Sequence, residues 1–291
     1  MRRPVRVAGL ALAFLLMLAA ADRAAAAPGG ITPPDYPQIG LPDAAAAHAL
    51  LDQFRQAGFA TGDYFLEFDL RQMPRRGDEQ LYHGRLWGGR GDDGMIMRIV
   101  LRDGAGQDRR WLVQNGPQAG AWNVVAGQAQ PLAGTSILDP LVGGVELTAF
   151  DLQMPYLYWP DTSVVALNRI RGRPAYAFVF RPPAAFAVIH PELAAVRAYL
   201  DTEFDRPLQI EIIGRDGGVH KTLSIVDLKK IDGQWMLKEF DVRDELTRDK
   251  TRFSLTAVAL GLDFSAGLLS PGRLAEDAAV PAASRLVLVA P

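Results

Sequence analysis

Apolar and polar positions along most of this chain repeat with a period of two. Leu208, Ile210 and Ile212 alternate with Gln209 and Glu211, the pattern of a strand with one buried face. Gly214 to Gly218 turns the chain, and Val219, Leu223 and Ile225 alternate with polar partners on the return. Asp232-Gly233 then supplies a two-residue hairpin turn, because both residues tolerate positive φ. Trp235 and Leu237 share one parity while Phe240, Val242 and Leu246 share the other, which predicts a β-bulge between Leu237 and Phe240. Arg248-Asp249-Lys250 turns into a strand carrying Phe253, Leu255 and Ala257, so Tyr199 to Ala257 reads as an antiparallel meander.

The first half follows the same rule. Tyr64, Leu66, Phe68 and Leu70 alternate with Asp63, Glu67, Asp69 and Arg71, with Phe65 the exception, so the even face of this strand goes inward. Strands are predicted at Gln80 to Trp87, Met95 to Leu101, Arg110 to Gln114 and Ala121 to Val125. Turns fall at Gly88-Gly89, Asp92-Asp93-Gly94, Asp103-Gly104 and Asn115-Gly116. Strands so spaced predict a single curled antiparallel sheet. Ahead of them, Asp43 caps a helix whose Ala47, Leu50, Leu51 and Phe54 form one apolar stripe; Asp52 and Arg55 point away and Gly58 stops it. The stripe is expected to rest on the first strand.

From Pro131 to Pro160 the alternation stops, yet the stretch is crowded with Leu, Val, Ile and aromatic residues that need a partner surface. Thr148 and Asp151 have capping-box spacing, and Leu147 with Leu152 occupy the staple positions, so a short helix is predicted from Ala149. Val164 to Ile170 and Ala175 to Phe180 read as a hairpin over Arg171-Gly172. In Pro182 to Leu200, Leu193, Val196 and Leu200 have helical spacing, whereas Val196, Ala198 and Leu200 alternate. Arg285 to Val289 reads as an edge strand or as no element.

The order Tyr199-Leu200-Asp201, Arg206-Pro207-Leu208, Gly217, Lys221, Trp235, Asp241, Thr251, Phe253 and Leu255 resembles the C-terminal half of the LolA-like outer-membrane lipoprotein-sorting proteins. Gly144, Leu147, Asp151 and Leu152 match that family's mid-chain segment, and the resemblance spans roughly Leu50 to Leu274. It favours a strand from Val196, leaving a short helix at Pro191 to Ala195. It implies a mainly β protein with some α: an unclosed antiparallel β-barrel with a helical lid over a hydrophobic cavity.

Arg2, Arg3 and Arg6 precede an apolar run from Val7 to Ala21 and the alanines 24 to 27, which reads as a signal peptide cleaved after Ala25 or Ala26. The expected divisions are this peptide at 1–27, a Pro/Gly-rich leader at 28–42, the LolA-like domain at 43–274 and a C-terminal extension at 275–291. Removing 1–27 takes away four arginines and Asp22, so the formal net charge moves from −2 to −5, and no basic patch speaks for nucleic acid. The chain has no cysteine, hence no thiol for a disulfide or a lipid anchor.

Motifs for chemistry are sparse. His48, His83, His190 and His220 lack metal-ligand spacing, and neither a Gly-x-Ser-x-Gly nor a His-Glu-x-x-His occurs, so no cofactor and no enzymatic activity is expected. Gly88 to Gly91 lacks the Lys-Ser/Thr ending of a phosphate loop. Met95 and Met97 share one strand face, which suits either a core or a pocket for variable lipid tails. The tryptophans carry the same two readings.

The resemblance thus implies a periplasmic, monomeric carrier of acylated lipoprotein or other lipid toward the outer membrane. Its partners would be an inner-membrane release complex or lipid exporter and an outer-membrane acceptor. The alternative is a lipid-sensing or binding module partnering an exporter or an envelope-stress regulator. The acyl chains would lie against Phe68, Met95, Met97, Trp122, Ile210 and Trp235, beneath a lid bearing Leu147, Phe150 and Leu152.

Overall fold

The computed structural model of the protein describes residues 40–56, 60–91, 94–132, 134–203, 206–264 and 267–290. The expected signal peptide, the leader as far as Ile39, Gly58 and Asp92-Asp93 lie outside the described residues. Helix α1 (Ala44–Gln56) opens the described fold, with Asp43 Oδ1 accepting from the Ala46 amide at 2.8 Å as its cap.

The first meander comprises β1 (Asp63–Met73), β2 (Gln80–Gly91), β3 (Gly94–Arg102), β4 (Asp108–Gln114), β5 (Gly120–Val125) and β6 (Gln128–Pro131). Helix α2 (Ala149–Gln153) lies in the connection to the second. There follow β7 (Asp161–Ile170), β8 (Arg173–Arg181), helix α3 (Ala184–Ile189), β9 (Leu193–Asp201), β10 (Pro207–Gly214), β11 (Val219–Ile231), β12 (Gln234–Asp244) and β13 (Lys250–Leu262).

All neighbours are antiparallel, and pairing of β1 with β13 joins the meanders into one sheet ordered 6-5-4-3-2-1-13-12-11-10-9-8-7. Strands β6 and β7 are its two free edges, so the sheet curls without closing. A last strand, β14 (Val287–Leu288), pairs with β13 at Ala257 and Val258, beyond the point where β12 and β13 part at Glu239 and Ser254.

Local chemistry explains the turns. Arg171 and Gly172, and likewise Asp232 and Gly233, have positive φ at both positions, which matches the right-handed twist of the strands they join. The expected face switch is present: the β11–β12 register slips between Ile225 and Leu228, opposite Phe240 to Leu237.

Three readings of the sequence need correction. Gly88-Gly89 is no turn but lies within β2, where Gly88 faces Tyr64; a Cβ at Gly88 would overlap the Tyr64 ring. Strand β2 runs on to Gly91, which pairs with Gly94 of β3. The helix expected at Pro191 to Ala195 is displaced to Ala184–Ile189, and β9 begins at Leu193, because apolar positions from Leu193 onward are consumed by pairing with β8 and β10. The stripe of α1 does not rest on β1: Leu51 and Phe54 pack with Phe150, Tyr156, Phe178 and Val196, on the other half of the sheet.

The concave interior holds two packed clusters. Tyr64, Leu66, Phe68, Leu70, Met97, Ile99, Trp111, Phe240, Phe253 and Leu255 form one, along β1–β4, β12 and β13. Phe178, Phe180, Val196, Ala198 and Ile210 form the other with α1 and the mid-chain segment. The convex face of the first meander is also apolar, carrying Phe65, Trp87, Ile96 and Leu112, and Phe264, Leu268, Leu269, Leu274 and Leu286 lie over it.

Candidate functional site: an apolar cavity beneath the mid-chain segment

The segment 134–160 joins the two free edges across the concave face. Leu147, at 2% exposure, is buried in the first cluster, which Leu152 flanks, as the staple requires. Between them Thr148 Oγ1 accepts from the Asp151 amide at 3.2 Å and Asp151 Oδ2 accepts from the Thr148 amide at 2.9 Å, which starts α2. Met154 ends the helix in the left-handed region, at φ 50°, and redirects the chain into a 3-10 turn at Pro155–Tyr158. Phe150 lies in an aromatic nest, with ring centroids 5.8 Å from Tyr156, 6.2 Å from Trp159 and 5.7 Å from Phe186 of α3.

Polar tethers hold this segment to the sheet and to α1. Lys221 Nζ on β11 lies 2.5 Å from Asp151 Oδ2. Asn115 Nδ2 donates to the Gln153 carbonyl at 2.5 Å, and Gln153 Nε2 donates to the Gln114 carbonyl at 3.2 Å. From α1, Arg55 Nε donates to the Leu157 carbonyl at 2.8 Å while its guanidinium lies 4.9 Å from the Tyr158 ring centroid. The helical spacing that put Arg55 on the outer side of α1 did not reveal this: its long stem curls back to a carbonyl orphaned at the end of a 3-10 turn.

Below the segment lies a cavity of about 310 Å³. Its wall is built by Leu208 and Ile210 of β10, Leu223, Ile225 and Leu228 of β11, and Trp235, Leu237 and Phe240 of β12. Leu152, Met154, Leu157 and Tyr158 form its roof, Phe54 and Arg55 one end, and Met95 with Asn115 another. The volume falls at the lower end of the roughly 300–1,000 Å³ usual for small-molecule sites. Trp235 and Leu228 are 47% and 38% exposed, so the cavity reaches solvent beside them.

Besides Arg55 and Asp151, its charged groups Arg173, Asp201 and Arg206 sit where β8, β9 and β10 meet. Asp201 is buried and accepts from Arg173, with Nη2 to Oδ1 at 3.1 Å, and that bond pushes the Arg173 pKa up. Arg206 also lines the cavity; burial pulls its pKa down. Asn115 Oδ1 is buried without a hydrogen-bond partner.

Among the expected site residues, Met95, Ile210 and Trp235 lie in the cavity wall. Phe68 and Met97 are not in it: at 3% and 2% exposure they belong to the packed first cluster, and Phe68 stacks on Phe253 at 4.9 Å. Trp122 lies on the convex face, because it pairs with Leu112, whose neighbours Trp111 and Val113 point inward. Of the lid residues, Leu152 faces the cavity whereas Leu147 and Phe150 are anchors in the two clusters. Leu208, Leu223, Ile225 and Leu237 were marked only as inward by their alternation. Arg206 gave no signal apart from its place in an Arg-Pro-Leu run. The histidines stay apart: His83 meets Asp69, His220 meets Asp216, and the His190 ring lies 4.4 Å from that of Phe186. Among the described residues no group of three or more His, Cys, Asp or Glu could hold a metal.

A curled sheet, open between two edges and roofed by an inserted segment over an apolar hollow, is an unclosed half-barrel. No protein-family model and no curated protein matches the sequence. Among solved structures, a domain assigned to outer membrane lipoprotein sorting from Vibrio parahaemolyticus is similar at a TM-score of 0.66 and 14% identity, over 77% of this chain and 97% of that one. A DUF1329 family protein from Desulfovibrio piger is similar at 0.65 and 15% identity, over 79% and 98%. A LolA superfamily protein from Nitrosomonas europaea is similar at 0.59 and 14% identity, over 77% and 97%. The fold is therefore LolA-like, as the residues from Tyr199 to Leu255 suggested.

Proposed function

We propose that this protein binds acyl chains non-covalently in the cavity between Leu152–Tyr158 and strands β10–β12, and carries acylated lipoprotein or another lipid through the periplasm toward the outer membrane. The output is transfer, not turnover. One observation carries the reading: a hollow lined by Leu, Ile, Phe and Met side chains is preserved inside a domain whose neighbouring interior is filled. A packed interior tolerates few voids larger than a water molecule, so a hollow of this size has a use. The fold of proteins assigned to lipoprotein sorting supports the same conclusion.

A sixteen-carbon chain wholly removed from water contributes about 12 kcal/mol, which is near nanomolar and too tight to hand over. Roof contacts displaced by the chain offset part of this, so a micromolar affinity that grows with chain length is expected. The test compares binding of a fluorescent fatty acid by the native protein, by Ile225→Trp, which fills the hollow, and by Glu67→Gln on the convex side. Ile225→Trp should bind at least about tenfold more weakly, a loss of about 1.4 kcal/mol or more, while Glu67→Gln should be unchanged. Absence of binding by the native protein, or equal binding by Ile225→Trp, removes the proposal.

A further inference from the structure

A second chamber of about 450 Å³ opens next to the apolar one, and Met95, Arg206 and Trp235 line both. Its chemistry differs. Apart from those three, its lining includes Arg90, Tyr64, Thr61 and Gln234, and among the described residues it holds two guanidinium groups and no carboxylate. Arg206 stands at the waist between the chambers, and no described residue pairs with its guanidinium. A partly buried cation without a counter-charge is unfavourable unless something else supplies one, and such a group in a cleft marks a candidate binding site. Arg90 is held by the end of α1, donating to the Gln56 carbonyl at 3.0 Å and to the Arg55 carbonyl at 3.4 Å. Tyr64, only 1% exposed, lines the same chamber with its hydroxyl buried and without a partner. Buried hydroxyls are normally hydrogen-bonded, so this one is an independent sign of a missing polar group.

We infer that the two chambers form one amphiphile site, in which the apolar chamber takes a chain and the second takes an anionic head group bound to Arg206, with the Tyr64 hydroxyl as a further donor. This rests on the acyl-binding reading and narrows it to lipids with a carboxylate or phosphate at the head. A neutral head would leave Arg206 without a counter-charge among the described residues, whereas an anion forms a charge-assisted hydrogen bond with it.

The experiment measures displacement of a neutral fluorescent acyl probe by hexadecanoate, hexadecyl phosphate and hexadecanoylglycerol, with inorganic phosphate as a fourth competitor. Native protein should favour the two anionic amphiphiles over the neutral one by about tenfold or more, the scale of one hydrogen bond to a charged group. Arg206→Gln should lose that preference, read as the ratio of anionic to neutral binding by the same variant, and Arg206→Lys should keep part of it. Retained binding of the neutral amphiphile also reports that the variant is folded. Equal binding of all three amphiphiles by the native protein, or an undiminished preference in Arg206→Gln, overturns the head-group site and leaves the acyl-binding reading standing. Failure of every amphiphile to bind overturns both. Saturable binding of inorganic phosphate alone would make the chamber a free-anion site and also overturn the inference.

Discussion

The two halves of the concave interior are built from the same alternation but end differently. Along β1, β12 and β13, Phe68, Phe253 and Phe240 stack in series with centroid separations of 4.9 and 4.7 Å, and the space is full. Along β10 and β11, Leu208, Leu223 and Ile225 face a hollow. Phe240 belongs to both, as the last ring of the stack and a wall of the cavity, so the boundary between filled and empty runs through one side chain. Aromatic rings span a curled sheet; branched aliphatic side chains from one wall do not. Alternation marks which face is concave, and residue size marks where it is filled.

The largest effect that would break this contrast is on stability. Phe68→Ala should destabilise the protein by about 3–5 kcal/mol, since it opens a void in a packed stack. Leu223→Ala, at a wall that already faces a hollow, should lose about 2 kcal/mol, the low end for such truncations. Urea unfolding of both variants decides: equal losses would mean that the two halves are packed alike. Phe68 is consequently a poor probe of binding, although its parity alone pointed to the cavity.

The convex faces differ as well. The second meander carries ion pairs there, such as Arg197 with Glu211 and Arg252 with Asp241, whereas the first is covered by the C-terminal residues. Arg98 is buried under that cover and donates from Nη1 to the Arg273 carbonyl at 3.1 Å, from Nη2 to the Leu274 carbonyl at 3.3 Å, and to the Glu276 carbonyl. Trp87 Nε1 adds a bond to the Ala279 carbonyl at 2.9 Å. Arg98→Met should cost about 1.5–3 kcal/mol, the scale of hydrogen bonds to a charged group. Hydrogen exchange should then rise in 267–288 and stay unchanged in β7–β9. Uniform loss of protection would show that the cover and the sheet unfold together.

That asymmetry was legible in the sequence, though not in the alternation of the second half. Leu208 to Ile212 alternate cleanly, as a strand wetted on one face must. Met95-Ile96-Met97, Ile99-Val100-Leu101 and Trp111-Leu112-Val113 are unbroken apolar runs, the mark of strands buried on both faces. Weighed by that criterion, the chain after Leu262 had to cover something. Local devices were the most legible: the Thr148–Asp151 cap, Asp232-Gly233 and the bulge before Phe240 depend on neighbours in sequence. What α1 packs against, and that Arg55 and Arg206 meet the cavity, depend on which distant strands pair, and no local pattern carries that information.

The smallest expected effect concerns the seam where the roof leaves the filled half. Glu146 lies between buried Val145 and Leu147, and its amide donates to Thr251 Oγ1 at 2.8 Å. Burial raises its pKa above the ordinary glutamate value of about 4.3, and the charges of Asp244, Asp249 and Asp151 push it further up against the opposing pull of Lys221. A carboxyl with a raised folded pKa binds protons more readily in the folded state, so stability falls as pH rises from the unfolded pKa through the folded one and then levels off. Ionisation of Glu146 therefore weakens the seam relative to its protonated form. Glu146→Gln keeps the uncharged form at every pH and should raise stability at pH 7 by under about 1 kcal/mol, the scale of partly exposed charge interactions. Below about pH 4, where Glu146 is protonated in both states, the advantage should vanish. Thermal melts of the two proteins across this range supply the check, because every other titrating group is common to both. A gain that persists undiminished at low pH would trace the effect to packing instead of charge, and a loss at pH 7 would mean that Glu146 holds the roof down through its negative charge.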